Sequence, residues 1–406
     1  MEASAWLEAM GSVPLADLHA ARESFLRDHT EEVYAALTDD FATPLRVEEL
    51  VACAAERFPG LVPTSAELED ERRHALADKE GIEIAHGLLL AHLLASPRAG
   101  DHLVWAMRRP TAGALERVPE LEANGEVDLG TAAVRREGRA SVVELRNPRH
   151  LNAEDDLTLP ATEVAVDLAL LDPETQICVL RGGVVEHPRY AGRRIFGAGL
   201  NLTRLYRGLL PYLFFVVRDL GYVNKIHCGL SGPEYRRGPL EETTEKLWIA
   251  AAETYAIGGA CQLLHVVDHV MAERGCRMYL PARNEGIIPG ASNLRLPRTV
   301  GDRVARQAIL SGREFEAGTP DGDLLLDEIV EPGQMNDAIA ARVDALTTSG
   351  LVNAAANRRA LRVGREPPDV FRTYMAVYAR EQALCHFSPA LVSNLERHWS
   401  AHERTL

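Results

Sequence analysis

The chain has few cysteines, and none are paired in sequence: the six, at 53, 178, 228, 261, 276 and 385, are never closer than 15 residues. No C-x-x-C redox or zinc motif is possible, and reduced, mostly buried thiols are expected. Long apolar runs are also missing. The longest, Gly87 to Ala95 and Leu209 to Val217, fall well short of the roughly 20 residues a membrane span needs. Positive charge is scarce, with 44 Lys+Arg against 59 Asp+Glu and a net charge of −15, which argues against a nucleic-acid-backbone binder. The opening Met1-Glu2-Ala3-Ser4 is acidic where a secretory leader is basic, so a soluble, cytoplasmic protein is expected, with no membrane or nucleic-acid partner. There is no G-x-S-x-G nucleophile elbow, and the third glycine position after Gly197 and Gly199 is Leu202, so no dinucleotide loop forms.

At 406 residues and 46% hydrophobic, the chain is too long and too apolar for an acidic tail. Residues 1–128 read as helical, punctuated at Pro59-Gly60 and between Pro110 and Pro119. Near residue 130 the texture turns to short β-rich runs, Thr131 to Arg135, Ala140 to Leu145 and Ile177 to Arg181, with an amphipathic stretch, Glu163 to Leu171, between the last two. That β-α-β order predicts a parallel sheet with crossover helices. Lys246 to Ala252 reads as a buried strand, and Tyr255 to His265 as a glycine-led helix. From Val300 onward the pattern is helical, best at Met335–Leu346, Pro368–Ala383 and Ser388–His402. The expected partition is 1–128, 129–335 and 336–406.

Two glycine segments place unpaired backbone N–H groups at helix starts: Phe196 to Leu202, and Ala256 to Gln262. Small residues there let a ligand approach the main chain. Two such donors meeting at one point make an oxyanion hole, where one donor is worth on the order of 3 kcal/mol. Between His187 and Arg218 the chain has no acid and six arginines, at 189, 193, 194, 204, 207 and 218, which suggests a phosphate-tolerant surface.

In order along the chain, Leu145 to Ala153, Arg194 to Asn201, Lys246 to Gln262, and Tyr279 to Ala282 with Ile288 to Ala291 resemble the four acyl-CoA-site segments of the crotonase (enoyl-CoA hydratase/isomerase) superfamily. The resemblance covers about residues 130 to 335. It implies an α/β fold: a crotonase-like ββα spiral core with an N-terminal helical domain and C-terminal oligomerisation helices, assembled as a homo-trimer or homo-hexamer. It makes the N–H groups of Leu200 and Gly259 the oxyanion donors, with Arg149, His187, Arg189, Tyr190, Arg194, Ala198, Gly199, Asn201 and Gly258 on the acyl-CoA.

The departures carry more information. Hydratases add water with two glutamates, and here those positions are Gln262 and Ala282, which cannot exchange protons with water. Asn201 replaces the usual Asp, and an insertion runs from Gly221 to Glu245. The pattern resembles the superfamily's dioxygenases of arylacetyl-CoA thioesters, which implies O₂ and acyl-CoA as substrates and neither metal nor flavin. On that resemblance Arg218, behind the apolar Phe214 to Val217, donates to a ring hydroxyl, Glu154 accepts from another, and Gln262 stands near the α-carbon. From the residues alone, Arg218 equally reads as a helix-end arginine paired with Asp219 or a carbonyl, and Glu154-Asp155-Asp156 as an acidic first helical turn. An acyl-CoA hydrolase or isomerase, and a non-catalytic thioester-binding scaffold, are the other readings of the same residues. His265, Asp268 and His269 have the residue types of a 2-His-1-carboxylate site. In the family's fold, however, they lead away from the thioester.

Overall fold

The β-rich runs condense into one large sheet. The computed structural model describes residues 15–236, 238, 241–348 and 351–404, and only the backbone at 16, 351 and 352. Met1 to Ser4, and the start of the helical region expected from residue 1, lie outside the described residues. The strands are β1 (Glu126–Asp128), β2 (Ala132–Glu137), β3 (Ala140–Leu145), β4 (Ile177–Gly182), β5 (Leu230–Ser231), β6 (Thr243–Thr244), β7 (Leu247–Ala252), β8 (Tyr255–Ile257), β9 (His269–Glu273), β10 (Arg277–Tyr279), β11 (Phe315–Glu316) and β12 (Glu328–Val330). The order β1-β2-β3-β4-β7-β9-β12 makes a seven-stranded sheet, antiparallel from β1 to β3 and parallel from β3 to β12. A second sheet, β11-β10-β8, pairs β8 and β10 in parallel.

The central strands read as continuous apolar runs because both faces are covered. Val142, Val179, Ile249 and Met271 point to one side, where Met335, Ile339 and Val343 of the helix Met335–Thr347 pack on them. Val143, Leu180, Ala250 and Val270 join the main core on the other side. There the helix Ile84–Ala95 packs along Pro368–His386, so elements from the two ends of the chain form one helical layer. Arg372 fastens the pair by donating from Nη1 to the carbonyls of Leu94, at 2.6 Å, and Ala95, at 2.9 Å. No helix among the described residues is long and apolar enough to cross a membrane. All six cysteines are free, and burial pushes the thiols of Cys178 and Cys261 up to about 12.

Three expectations need correction. The region after Val300 is not wholly helical: β11 and β12 interrupt it, and β12 closes the sheet beside β9. Strands of two and three residues are too short to carry a period. Tyr255 to His265 is not a single helix, because Tyr255–Ile257 is strand and the helix occupies only Gly259–Leu263. The stretch Glu163 to Leu171 lies in the helix Leu159–Leu171, but it is buried on its polar side too. Lys225 reaches Glu163 at 2.8 Å and Asp167 at 2.7 Å, and Arg46 donates to Glu163 at 2.8 Å. These ions join the N-terminal helices to the core helix and to the inserted helix Tyr222–Cys228. Breaking a buried pair by removing one partner typically costs about 3–5 kcal/mol. Lys225→Met is therefore expected to lower unfolding free energy by about that much in denaturant titration, and a loss below about 1 kcal/mol would show the network to be dispensable.

Candidate active site

The two glycine segments lie side by side. Gly197 N–H donates to the Tyr255 carbonyl at 3.1 Å, and Ile257 N–H to the Gly197 carbonyl at 3.0 Å, which fixes a parallel pairing of Gly197 with Ala256. Three residues further along the two segments, Leu200 and Gly259 line the same cleft. Only glycine permits the approach: a Cβ on Gly199, where φ is +83°, would stand 2.8 Å from the Ile257 carbonyl oxygen. On the other flank, Glu154 N–H donates to the Gly199 carbonyl at 2.7 Å and Asn201 N–H to the Glu154 carbonyl at 2.8 Å. That pattern turns the N–H of Leu200 away from Glu154. Gly258, at φ 52° and ψ −117°, ends β8 and starts the next helix, so Gly259 N–H is a first-turn donor. Among the described residues neither the Leu200 nor the Gly259 N–H has a protein acceptor, and both residues line one cleft.

Arg218 organises the floor of that cleft. The helix Leu213–Leu220 buries Phe214 to Val217 and carries Arg218 and Asp219 inside with them, at 4% and 2% exposure. All five guanidinium N–H groups find protein acceptors. Nε and Nη2 hold the Glu154 carboxylate, the latter at 3.1 Å; Nη2 also reaches the Gly259 carbonyl at 2.8 Å, and Nη1 reaches Gln262 Oε1 at 2.9 Å and Asp219 at 3.3 Å. Burial alone would lower the Arg218 pKa, but Glu154, Tyr222 and Asp219 raise it well above the usual value, so the cation is permanent. Burial pushes the Asp219 carboxyl up against the opposing pull of Arg218 and Arg295. The Tyr222 hydroxyl donates to Glu154 Oε1 at 2.9 Å, and burial raises this phenol far above its usual range.

This changes the reading of Arg218. Its donors are spent within the protein, and capacity for a ligand lies on its partners. A carboxylate offers about four lone-pair sites; three protein donors occupy Glu154, leaving one. Gln262 turns its oxygen to Arg218 and keeps its NH₂ without a protein acceptor among the described residues. Much of the remaining wall is apolar, with Phe214, Phe215, Ile287, Ile288 and Pro289, and Glu285 and Tyr378 are its other polar members.

Leu200, Gly258, Gly259, Gln262, Arg218 and Glu154 thus converge, while other expected residues are committed elsewhere. The acidic triplet is not a helical first turn. Glu154 goes to Arg218; Asp155 accepts from Leu157 N–H at 3.0 Å and Thr158 N–H at 3.1 Å; Asp156 takes Arg204 Nε at 2.8 Å. Asn201 caps the helix Leu202–Tyr206 and donates to Asp155 at 2.9 Å, a structural post. Arg194 binds Glu144 at 2.6 Å and the Gly182 carbonyl at 3.0 Å. Three of the six arginines in the stretch, Arg194, Arg204 and Arg218, are neutralised by acids from other segments, and Arg207 donates to the Arg404 carbonyl at 3.0 Å. Arg189, over the Tyr190 ring, and Arg193 have no acidic partner among the described residues. Tyr190 meets the Tyr255 hydroxyl at 2.9 Å, His187 Nδ1 accepts from Arg189 N–H at 3.3 Å, Arg149 is exposed, and Ala198 N–H is tied to the Leu151 carbonyl at 3.1 Å.

His265, Asp268 and His269 do not gather. Asp268 accepts from Trp248 N–H at 2.9 Å and Arg358 at 2.8 Å, while His269 lies 3.5 Å from Glu328. No group of three potential metal ligands occurs among the described residues. Sequence reasoning missed Tyr222, Tyr378 and Glu285. Tyr222 lies four residues after Arg218, a spacing that could have flagged it, and Glu285 follows three residues after Ala282.

Two glycine turns joined in parallel at the edge of a ββα spiral, with a helix starting at the second, define the crotonase class of fold. Solved structures agree on the fold: an enoyl-CoA hydratase from Bacillus halodurans aligns with TM-score 0.52 and 18% identity over 66% of this chain and 99% of its own, and OdaA of Pseudomonas aeruginosa with TM-score 0.53 and 18% identity over 68% and 100%. The enoyl-CoA hydratase/isomerase family profile matches residues 240–369. The (3,5-dihydroxyphenyl)acetyl-CoA 1,2-dioxygenase of Amycolatopsis orientalis is 46% identical over 92% of this chain and 85% of that protein. A short-chain-enoyl-CoA hydratase of Clostridium acetobutylicum is 24% identical over 59% of this chain and 84% of its own. The chain belongs to the crotonase (enoyl-CoA hydratase/isomerase) superfamily.

Proposed function

We propose that this protein is a dioxygenase that converts (3,5-dihydroxyphenyl)acetyl-CoA and O₂ to 3,5-dihydroxyphenylglyoxylate and free CoA, with no metal or flavin. The observation that carries the reading is the Arg218–Glu154–Gln262 cluster: a fixed polar floor, in an apolar cleft, beside two unpaired N–H groups, with an amide and a methyl at the hydratase glutamate positions. The extent of identity to the Amycolatopsis orientalis enzyme supports the same substrate. The thioester carbonyl binds at the Leu200 and Gly259 N–H groups, which stabilise the enolate formed when the α-carbon loses a proton. One ring hydroxyl donates to the open lone pair of Glu154, and Gln262 NH₂ faces the reacting carbons. The electron-rich carbanion reduces O₂, recombination gives an α-peroxide, closure on the thioester carbonyl expels the CoA thiolate, and loss of the second α-proton breaks the O–O bond to leave the 2-oxo acid. Both oxygen atoms end in the 2-oxo acid, so no outside reductant is needed. Arg149, His187, Arg189 and Tyr190 are the residues we assign to CoA. We place this reaction in 3,5-dihydroxyphenylglycine biosynthesis for glycopeptide-type antibiotics, and a homo-trimer or homo-hexamer is the assembly we propose.

An oxygen electrode tests the reading. CoA release from the dihydroxyphenylacetyl thioester is expected to consume one O₂ per thiol and to persist in chelator. Equal CoA release under nitrogen would instead identify a hydrolase, and binding without turnover a scaffold.

A further inference from the structure

Glu285 stands apart from the other acids in the cleft because, among the described residues, nothing neutralises it. It closes the four-residue helix Ala282–Glu285, three residues beyond Ala282 and therefore on the same helical face. Pro281, at the start of that helix, stands beside Gly258: a Cβ on Gly258 would meet Pro281 Cδ at 3.7 Å. Glu285 and Ala282 line the cleft together with Leu200, Gly259 and Gln262. Glu154 and Asp219 are held by Arg218, whereas the Glu285 carboxylate has neither an ion pair nor a hydrogen bond among the described residues. Where the hydratases carry a glutamate, Ala282 leaves a methyl, and the next turn of the same face restores a carboxylate.

We propose that Glu285 is the base that removes the α-proton of the bound arylacetyl thioester. The α-C–H bond breaks, the proton passes to the carboxylate, and the electron pair moves into the thioester carbonyl, whose oxygen takes the charge at Leu200 and Gly259. The assignment rests on the substrate class proposed above. Burial pushes the Glu285 carboxyl up to about 7, where an acid is ionised enough to accept a proton yet basic enough to pull one. Desolvation alone sets that value. The titratable groups nearby are Glu154, Arg218, Asp219 and Tyr378, which line the same cleft, and Tyr279, whose phenol Glu285 helps to raise. The helices Asp302–Ser311 and Pro389–Trp399, packed on this turn, bring the Ser311 carbonyl to Arg283 and Asn394 to Gly286. Neither helix puts a charge on Glu285 that shifts it.

The test separates proton removal from oxygen chemistry. Under nitrogen in D₂O, the wild-type protein is expected to exchange the α-hydrogens of the thioester, with a rate that rises with pH through about 7 as the base ionises. Glu285→Gln is expected to slow exchange at least about 100-fold and to remove that limb, while thioester affinity changes less than about threefold. Glu285→Asp, the conservative variant, is expected to recover part of the rate with the limb retained, which a merely structural role would not produce. Exchange and limb unchanged in Glu285→Gln would overturn the assignment, as would the absence of exchange in the wild type. If wild-type exchange depends on Glu285 but no O₂ is consumed, Glu285 keeps its role and the dioxygenase reading falls.

Discussion

Replacing Arg218 with alanine is expected to lower kcat/KM for (3,5-dihydroxyphenyl)acetyl-CoA by on the order of 10² to 10³, and far less for phenylacetyl-CoA. The guanidinium sends all five donors to Glu154, Gly259, Gln262 and Asp219. Removing it leaves two acids of the cleft unpaired, and breaking a buried pair costs about 3–5 kcal/mol. Part of that cost falls on folding and part on the site. In the variant Glu154 gains a proton or turns away, and either change removes the acceptor for a ring hydroxyl. A ring without hydroxyls loses only the general order of the floor. The measurement is the ratio of kcat/KM for the two thioesters, with thermal melting alongside; equal losses on both would refute a role in ring recognition.

Gly258→Ala is expected to abolish most turnover by a different route, with kcat down about 10² to 10³ and little change in the melting transition beyond the cost of strain. The added methyl meets nothing closer than 3.5 Å, so space is not the obstacle. The obstacle is conformation: φ 52° with ψ −117° is a region that essentially only glycine occupies, and such strain costs about 1–3 kcal/mol. An alanine relieves it by rotating the peptide between residues 258 and 259. That peptide carries the Gly259 N–H, and its carbonyl accepts from Gln262 N–H at 3.1 Å. Rotation swings the donor out of the cleft, and one oxyanion donor is worth about 2.7–4 kcal/mol. Single-turnover kinetics under nitrogen, reading α-hydrogen exchange, would locate the loss at enolate formation. A variant with wild-type kcat would show that this N–H has no part in the reaction.

The legible parts of the molecule were those written in local pattern. Ala140–Leu145 and Ile177–Gly182 announced themselves as strands because they are buried on both faces and bounded by turns. The glycine segments, and Gln262 and Ala282 at the hydratase glutamate positions, marked the cleft because a close main-chain approach tolerates few residue types. What failed had no local signature. β12 offers three residues, and the polar side of Leu159–Leu171 looked solvent-facing until Lys225 and Arg46 came to it from distant segments. Half of the arginines after His187, namely Arg194, Arg204 and Arg218, are matched by acids that lie outside that stretch, Glu144, Asp156 and Glu154.

Sequence by itself pointed to the class of fold, through four motifs in family order, and showed Gln262 and Ala282 where hydratases carry glutamates, since both are written in which residue types stand at fixed short spacings. Tertiary structure decided which charges are free to act. Ionic partners are chosen by distance in space, and burial strengthens that choice by making any unpaired charge costly. Only folding could therefore turn Arg218 from a ligand donor into the hub of its neighbours, retire Arg194 and Asn201 to structural posts, and leave Glu285 as the one cleft carboxylate, among the described residues, without a partner.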